Sequence, residues 1–270
     1  MNIVCIGGGP AGLYFGLLMK LENPENRIVV IERNRPYDTF GWGVVFSDAT
    51  LENLQKADLV SAKTIETEFS KWGDIDIHFK GEAIRSSGHG FIGIGRKRLL
   101  NILQARCDEV GVELVFETNV ENEKDIAREY DADLIIASDG INSAIRTKYE
   151  SEFKPDIDVR KCRFVWLGTE KIFDAFTFLF LPTKYGWFQV HADQFEEGRS
   201  TVIVETTDET FHKAGIDKMS QEEGIEFCEQ LFSPWLDGHK LISNASHLRG
   251  SAIWIQFPRV ICENWVHWIK

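Results

Sequence analysis

The 270-residue sequence has no apolar run approaching the ~20 residues a membrane-spanning helix needs, so no membrane partner is expected. Its five cysteines (Cys5, Cys107, Cys162, Cys228, Cys262) are scattered, with no C-x-x-C pair. An odd, dispersed set argues against disulfides or a zinc site, and for reduced thiols in a cytoplasmic setting. Basic residues are in the minority: 30 Lys and Arg face 42 Asp and Glu, a net charge of −12. Neutralising phosphates needs a basic face, so nucleic acid is not expected as a partner. H-E-x-x-H, G-x-S-x-G and clustered metal ligands are all missing, which leaves no metal site and no catalytic dyad to nominate. Repeats and low-complexity linkers are absent too. The sequence opens directly on an apolar strand, with no room for a signal peptide.

What is present is an ordinary globular composition, 43% hydrophobic and 27% charged, in a length that suits one large domain or two joined ones. The organising stretch is Asn2 to Arg33. Asn2-Ile3-Val4-Cys5-Ile6 is strand-like, Gly7-Gly8-Gly9-Pro10-Ala11-Gly12 is a glycine turn, and Leu13 to Leu21 has helix length. A second apolar run, Arg27 to Ile31, ends on Glu32 and Arg33. This is the dinucleotide-binding βαβ fingerprint. Gly7 permits the tight turn, Gly9 lets backbone approach a pyrophosphate, and Gly12 lets the helix lie on the strand. The helix opening at Pro10 directs its N–H groups and positive dipole end at phosphates, and Pro10 sacrifices no hydrogen bond there. Glu32, 20 residues after Gly12, suits ribose hydroxyls and would repel a 2′-phosphate.

Beyond Glu32 the α/β alternation breaks. Gly41 to Phe46 is a glycine-punctuated aromatic segment, Asp48 to Ala62 reads as one helix, and Ile75 to Phe79 alternates as a half-buried strand. Gly81 and Ser86-Ser87-Gly88 punctuate a small antiparallel excursion. Arg96 to Val110 is predicted as a helix, Val112 to Phe116 as a strand and Asp133 to Ala137 as a buried strand leading into Ser138-Asp139-Gly140. Between Gly12 and Gly140 no second complete βαβ nucleotide fingerprint is read, so a nicotinamide cofactor is expected to have no fold of its own. From Arg160 the chain turns β-rich: Cys162 to Leu167, Phe176 to Leu181, Gly186 to His191 and Thr201 to Thr206 suggest an antiparallel sheet. Ser220 to Phe232 is a helix with a Ser220/Glu223 capping box, and Ser251 to Phe257 and Trp265 to Ile269 are strand-like.

Gly7 to Gly12, Glu32, Arg96-Lys97-Arg98-Leu99 and Asp139-Gly140 together resemble the single-component FAD-dependent aromatic hydroxylases, which have the para-hydroxybenzoate hydroxylase fold. Gly41-Trp42-Gly43-Val44-Val45 and Phe164 to Thr169 look nearest to the salicylyl-CoA 5-hydroxylase and anthraniloyl-CoA monooxygenase branch, with the violacein-pathway tryptophan hydroxylases as the alternative. The resemblance implies a Rossmann-like FAD-binding domain of the GR2 type over residues 1–72 and 91–155. It implies an antiparallel substrate-binding sheet over 73–90 and 156–270. It assigns Gly7, Gly9, Pro10, Ala11, Gly12, Glu32, Arg33, Trp42, Gly43, Arg96, Asp139 and Gly140 to FAD. It also implies NADH or NADPH as co-substrate, and oxygen transfer through a flavin C4a-hydroperoxide to an aromatic ring, an aryl-CoA thioester of the salicylyl-CoA type in the nearer branch. The cofactor carries the hard step while the protein supplies orientation and a dry pocket. The family's third motif, a Gly-Asp pair, is expected after the Trp265–Ile269 strand, where the sequence stops at Lys270. The fold is therefore expected to be truncated at its C-terminus, and a non-catalytic flavoprotein is the contrasting possibility.

Other residues admit two readings. His89 could reach the flavin–substrate junction or sit on a surface turn, and His191 could face a substrate pocket or be a satisfied rim histidine. Trp42 could pack near the flavin ring or in ordinary core. Arg160, Lys161 and Arg163 could meet an acyl-CoA phosphate or form a solvated strand edge. Trp254 to Pro258 reads as an aromatic strand.

Overall fold

The computed structural model describes residues 1–37, 41–244 and 254–268. Its first βαβ unit is β1 (Asn2–Ile6), α1 (Pro10–Glu22) and β2 (Arg27–Ile31). Then come β3 (Gly43–Ser47), α2 (Asp48–Ala57), α3 (Leu59–Thr67), β4 (Ser70–Phe79) and β5 (Glu82–Gly95). These are followed by α4 (Arg96–Val110), β6 (Glu113–Val115), α5 (Glu123–Glu129), β7 (Leu134–Ala137), α6 (Ala144–Lys148) and α7 (Glu150–Phe153). The second half holds β8 (Pro155–Thr169), β9 (Phe176–Thr183), β10 (Gly186–Glu196), β11 (Arg199–Thr207) and α8 (Asp208–Lys213). After them come α9 (Gln221–Leu236), β12 (Leu241–Ile242) and β13 (Ile255–Cys262).

Two sheets result. The smaller is parallel, in the order β6-β2-β1-β7, with Ile3 to Ile6 of β1 flanked by Ile28 to Ile31 and by Leu134 to Ala137. Its central strands are apolar and buried from Ile3 to Ile6 and from Ile28 to Ile31, as strands packed on both faces are. On one side Ile3, Cys5, Ile28 and Val30 pack with Leu13 and Leu17 of α1 and with Leu99 to Cys107 of α4; on the other, Val4, Ile6, Val29 and Ile31 form a second cluster. The larger sheet runs β12-β8-β11-β10-β9-β4-β5-β3, with β13 pairing the free length of β8. One face of it buries Val165, Leu167, Leu179, Phe188, Val190, Val202 and Val204 against Cys228, Phe232 and Leu236 of α9. The expected antiparallel sheet is thus present. Its β4–β9 pair is parallel, and β3 (from within residues 1–72) joins its edge.

Several expectations are corrected. The single helix over Asp48 to Ala62 is two, because Asp58 takes an extended conformation (φ −148°) and caps α3 by accepting from Ser61 N at 3.0 Å. The glycine-rich Gly41 to Phe46 segment is largely strand: β3 pairs antiparallel with Phe91 to Gly95. Ser86-Ser87-Gly88 does not break the chain but lies inside β5; the turn is made by Lys80 and Gly81, both at positive φ. The strand at Asp133 to Ala137 is not buried: β7 is a sheet edge whose Leu134 is exposed. Ser251 to Ile253 lie outside the described residues, and the strand begins at Ile255. Trp265 to Trp268 forms no strand, and Ile269 lies outside the described residues. The Ser220/Glu223 capping box is present as expected: Ser220 N donates to Glu223 Oε2 at 2.7 Å, and Glu223 N to Ser220 Oγ at 3.2 Å.

Candidate functional site: a glycine turn built for a dinucleotide

The turn between β1 and α1 can be built only from glycine at two of its positions. Gly7 has φ +111°, and a Cβ there would lie 2.2 Å from the Ser138 carbonyl oxygen. A Cβ on Gly12 would lie 2.1 Å from the Gly7 carbonyl oxygen and 2.5 Å from Ser138 Oγ. Ser138 ties the arrangement together by donating its hydroxyl to the carbonyls of Ile6 at 3.0 Å and Gly7 at 2.9 Å. Gly9 differs: its φ of −73° and ψ of 177° suit any residue, and a Cβ there would meet nothing within 4 Å. The fold does not demand glycine at position 9. The open space over it is what a closely approaching ligand needs.

That space faces the start of α1. No side chain caps the helix and no acid occupies its first turn, so its unsatisfied N–H groups and positive dipole end are left for an anion. Pro10 and Ala11 are exposed at this end. Across the turn, Glu32 Oε2 accepts from Gly8 N at 2.8 Å and Oε1 accepts from Asn34 N at 2.8 Å. A carboxylate has roughly four acceptor positions, so two remain for hydroxyl groups. Gly8 was absent from the sequence-based assignment, yet a Cβ there would lie 2.7 Å from Glu32 Cβ; the run of three glycines was the available signal. Arg33 is exposed beyond the end of β2.

Asp139 comes to the same turn through Ser138. Its Oδ2 accepts from Ala144 N at 2.8 Å and Ile145 N at 3.4 Å, starting α6, while Oδ1 is buried with no hydrogen-bond partner among the described residues. A buried acceptor left unmade costs about 1–3 kcal/mol, a deficit that a donor on a bound group removes. Gly140 sits beside it at φ +86°, exposed, with nothing within 4 Å of a Cβ position.

Trp42, Gly43 and Arg96 form a second group where the larger sheet meets α4. Arg96 N donates to the Trp42 carbonyl at 2.8 Å, and Gly43 pairs with Gly95. Gly43 N donates to Thr201 Oγ1 at 3.1 Å, and a Cβ there would sit 2.3 Å from Phe195 Cβ; β3, the edge strand of the larger sheet, has to pass this close to β10 and β11 of the same sheet. Trp42 is buried over Gly168, whose Cβ position lies 2.7 Å from its ring, and its ring centroid is 6.2 Å from Phe195. This is core packing. Arg96 opens α4, and burial draws its guanidinium below the ordinary arginine range. Cys107 Sγ donates to the Leu13 carbonyl at 3.3 Å, and the Gly111 Cβ position lies 3.7 Å from Lys20, so α4 runs alongside α1.

The remaining candidates divide. His89 is half-buried, hydrogen-bonds Ser86 Oγ at 2.8 Å and lines an open cleft of about 360 Å³ with Trp72, Phe91 and Lys71. Arg160 is held by Asp158 at 2.9 Å and Arg163 by Asp208 at 2.5 Å, so neither offers an uncommitted charge to a phosphate. Trp254 packs against Phe211, with ring centroids 5.7 Å apart. Among the described residues no group of His, Cys, Asp and Glu is placed to hold a metal, and no helix is long and apolar enough to cross a membrane.

A parallel βαβ unit, a glycine turn opening on a helix start, an acid at the end of β2 and a covering antiparallel sheet define a flavin-type dinucleotide-binding protein. Residues 1–170 match the family described as FAD binding domain, and the chain belongs to that family. It is 38% identical over 273 residues to salicyloyl-CoA 5-hydroxylase of a Streptomyces species, a match covering 98% of this chain and 51% of that protein. It is 28% identical to protodeoxyviolaceinate monooxygenase of Chromobacterium violaceum over 90% of this chain and 65% of that one. The chain thus spans about half to two thirds of the length of these relatives. Among solved structures, 2-methyl-3-hydroxypyridine-5-carboxylic acid oxygenase superposes with a TM-score of 0.73 at 15% identity, covering 98% of this chain and 72% of that one. That likeness establishes the fold. The open space over Gly9, the uncapped α1 and the unpartnered Asp139 Oδ1 all fit FAD, the cofactor of the family.

Proposed function

We propose that this chain carries the FAD- and substrate-binding parts of a monooxygenase that hydroxylates an aromatic ring using NADH or NADPH and dioxygen. The ring is presented as an aryl-CoA thioester of the salicyloyl type. The identity of 38% to salicyloyl-CoA 5-hydroxylase, spread over 98% of the chain, is the observation that carries this reading. In it, residues 1–72 and 91–155 hold the cofactor, and 73–90 with 156–270 receive the substrate. Gly7, Gly9, Pro10, Ala11 and Gly12 would receive the diphosphate, with Glu32 and Arg33 at the adenosine end. Arg96, Asp139 and Gly140 would lie along the rest of the cofactor, with Trp42 and Gly43 backing it. Bound FAD supplies the redox chemistry and the activation of dioxygen.

The protein's share is binding, orientation and exclusion of water. The apolar packing around Trp42, Phe195 and Trp72 supplies a dry wall where β3 packs against β10. Arg160 and Arg163 are paired with Asp158 and Asp208, so a CoA phosphate meeting them would compete with those acids. A test is to load the protein with FAD and follow NADH oxidation with and without salicyloyl-CoA. Stimulation by the thioester supports the reading. Stimulation by tryptophan or an indole, with none from any aryl-CoA, moves the assignment to the second reading, which the 28% identity to protodeoxyviolaceinate monooxygenase favours. Flavin retained with no stimulation by either class marks a non-catalytic flavoprotein.

A further inference from the structure

The larger sheet has a second face, opposite α9, and its composition is unusual. Alternation along β10 sends Phe188, Val190 and Ala192 into the core, so Gln189, His191 and Asp193 point the other way. His191 stands opposite Phe178 on β9 and Ile203 on β11; one strand further, Ile203 stands opposite Trp166. The ring centroids of Phe176 and Phe178 each lie 6.2 Å from that of His191, and they are 4.6 Å from each other. Phe176 in turn is 5.4 Å from Phe91 and 6.1 Å from Trp72, which line the cleft next to His89. An aromatic floor therefore runs from that cleft to His191.

Within this floor His191 is half-buried, and its ring nitrogens are not among the buried side-chain atoms that lack a partner, so the polar edge of the imidazole stays open to solvent or a ligand. Glu205 lies diagonally across on β11, but its carboxylate is engaged by the Gln189 side-chain amide, its register partner. The titratable groups facing His191 are Glu205 on β11 and Asp193 two residues along its own strand. β9 and β8 contribute only Phe176, Phe178 and Trp166.

We propose that His191 is the specificity-determining residue for the aromatic substrate, accepting the hydrogen of a hydroxyl or amino substituent on a ring that lies against Phe176 and Phe178. This rests on the aryl hydroxylase reading and adds to it the group that reads the ring. Burial lowers the imidazole's proton affinity more than Glu205 raises it, which keeps one ring nitrogen available as an acceptor near neutral pH. A ring bearing no donor leaves that nitrogen unpaired inside the floor, and such a mismatch is worth about tenfold in affinity. The face thus selects hydroxylated or aminated rings over the bare ring.

The test uses the FAD-loaded protein and two probes, the N-acetylcysteamine thioesters of salicylate and of benzoate, titrated by intrinsic tryptophan fluorescence. The parent is expected to bind the salicyl probe about tenfold more tightly than the benzoyl probe. His191→Leu should bring that ratio to about one while moving the benzoyl affinity less than about threefold, and His191→Gln, which keeps an acceptor, should recover part of the preference. Should the leucine variant fail to fold, His191→Phe, matched to its ring neighbours, carries the same expectation. An unchanged ratio in His191→Leu or His191→Phe overturns the assignment to His191 and leaves the aryl reading standing. Failure of the parent to bind either probe overturns both.

Discussion

The Glu32 carboxylate bridges the nucleotide turn: one oxygen accepts from Gly8 N and the other from Asn34 N, each at 2.8 Å. The residue long associated with sugar recognition in this kind of fingerprint is therefore also part of the scaffold, holding the turn against the end of β2.

Replacing Glu32 should accordingly act twice. Glu32→Ala leaves the Gly8 N–H, part-buried, without its acceptor and is expected to destabilise the FAD-free protein by about 1–3 kcal/mol. The same variant should also weaken FAD binding. Glu32→Gln retains one acceptor and should lose less of both. Urea denaturation of the FAD-free variants separates the structural part from the binding part.

Gly12→Ala should be far more damaging than its single methyl suggests. The new Cβ would fall 2.1 Å from the Gly7 carbonyl oxygen, on backbone that Ser138 pins at 2.9 Å, so neither side can yield cheaply. Loss of soluble, folded protein or a fall in melting temperature of several degrees is expected, with or without FAD. Circular dichroism melts check it.

Asp193 introduces a pH dependence into stability. It is 2% exposed, its Oδ2 has no partner among the described residues, and burial pushes its carboxyl up to about 7 from an ordinary 3.8. The folded state then binds more protons than the unfolded chain between those values, so stability is full below about pH 4 and falls as pH rises through about 7. The upper bound is on the order of 4 kcal/mol. Asp193→Asn should melt higher than the parent at pH 8 and show a flatter pH profile; an identical slope in both proteins would contradict this.

Asp58 joins α3 to α4. It caps α3 and takes a two-point contact from Arg106, Nε at 3.0 Å and Nη2 at 3.1 Å; Arg106 holds its carboxyl below the ordinary range despite burial. Asp58→Ala removes the cap and leaves the guanidinium only its Glu109 contact at 2.9 Å, at an expected cost of about 2 kcal/mol. Chemical denaturation measures it. Asp58→Asn, which retains the cap, should recover about a third of the loss.

Much of this fold was legible because the informative residues act locally. The β1–α1–β2 unit follows from apolar periodicity and the glycine spacing, and the α9 capping box from Ser220 and Glu223. What escaped depends on tertiary neighbours. Nothing in Gly43 itself tells a ligand-facing glycine from one forced by Phe195 and Thr201 across the sheet. Trp42 could pair with a flavin or with Gly168, and a tryptophan's sequence context is the same in both cases. The Asp58 break was missed because Leu51, Leu54 and Leu59 keep one helical period across it, while the capping geometry depends on a single side chain. The scaffold role of Glu32 went unread for the same reason: its partner Gly8 lies 24 residues away in sequence.

The central claim, that the turn after β1 holds a dinucleotide, is tested most directly at Gly9, where the fold itself tolerates a side chain. Calorimetric titration of FAD into the parent and into Gly9→Val, each with its FAD-free melting temperature recorded, separates ligand contact from folding. The expected result is a variant that melts within about 2 °C of the parent, as surface changes do, and binds FAD at least about tenfold more weakly. Equal FAD affinity in the two proteins would contradict it.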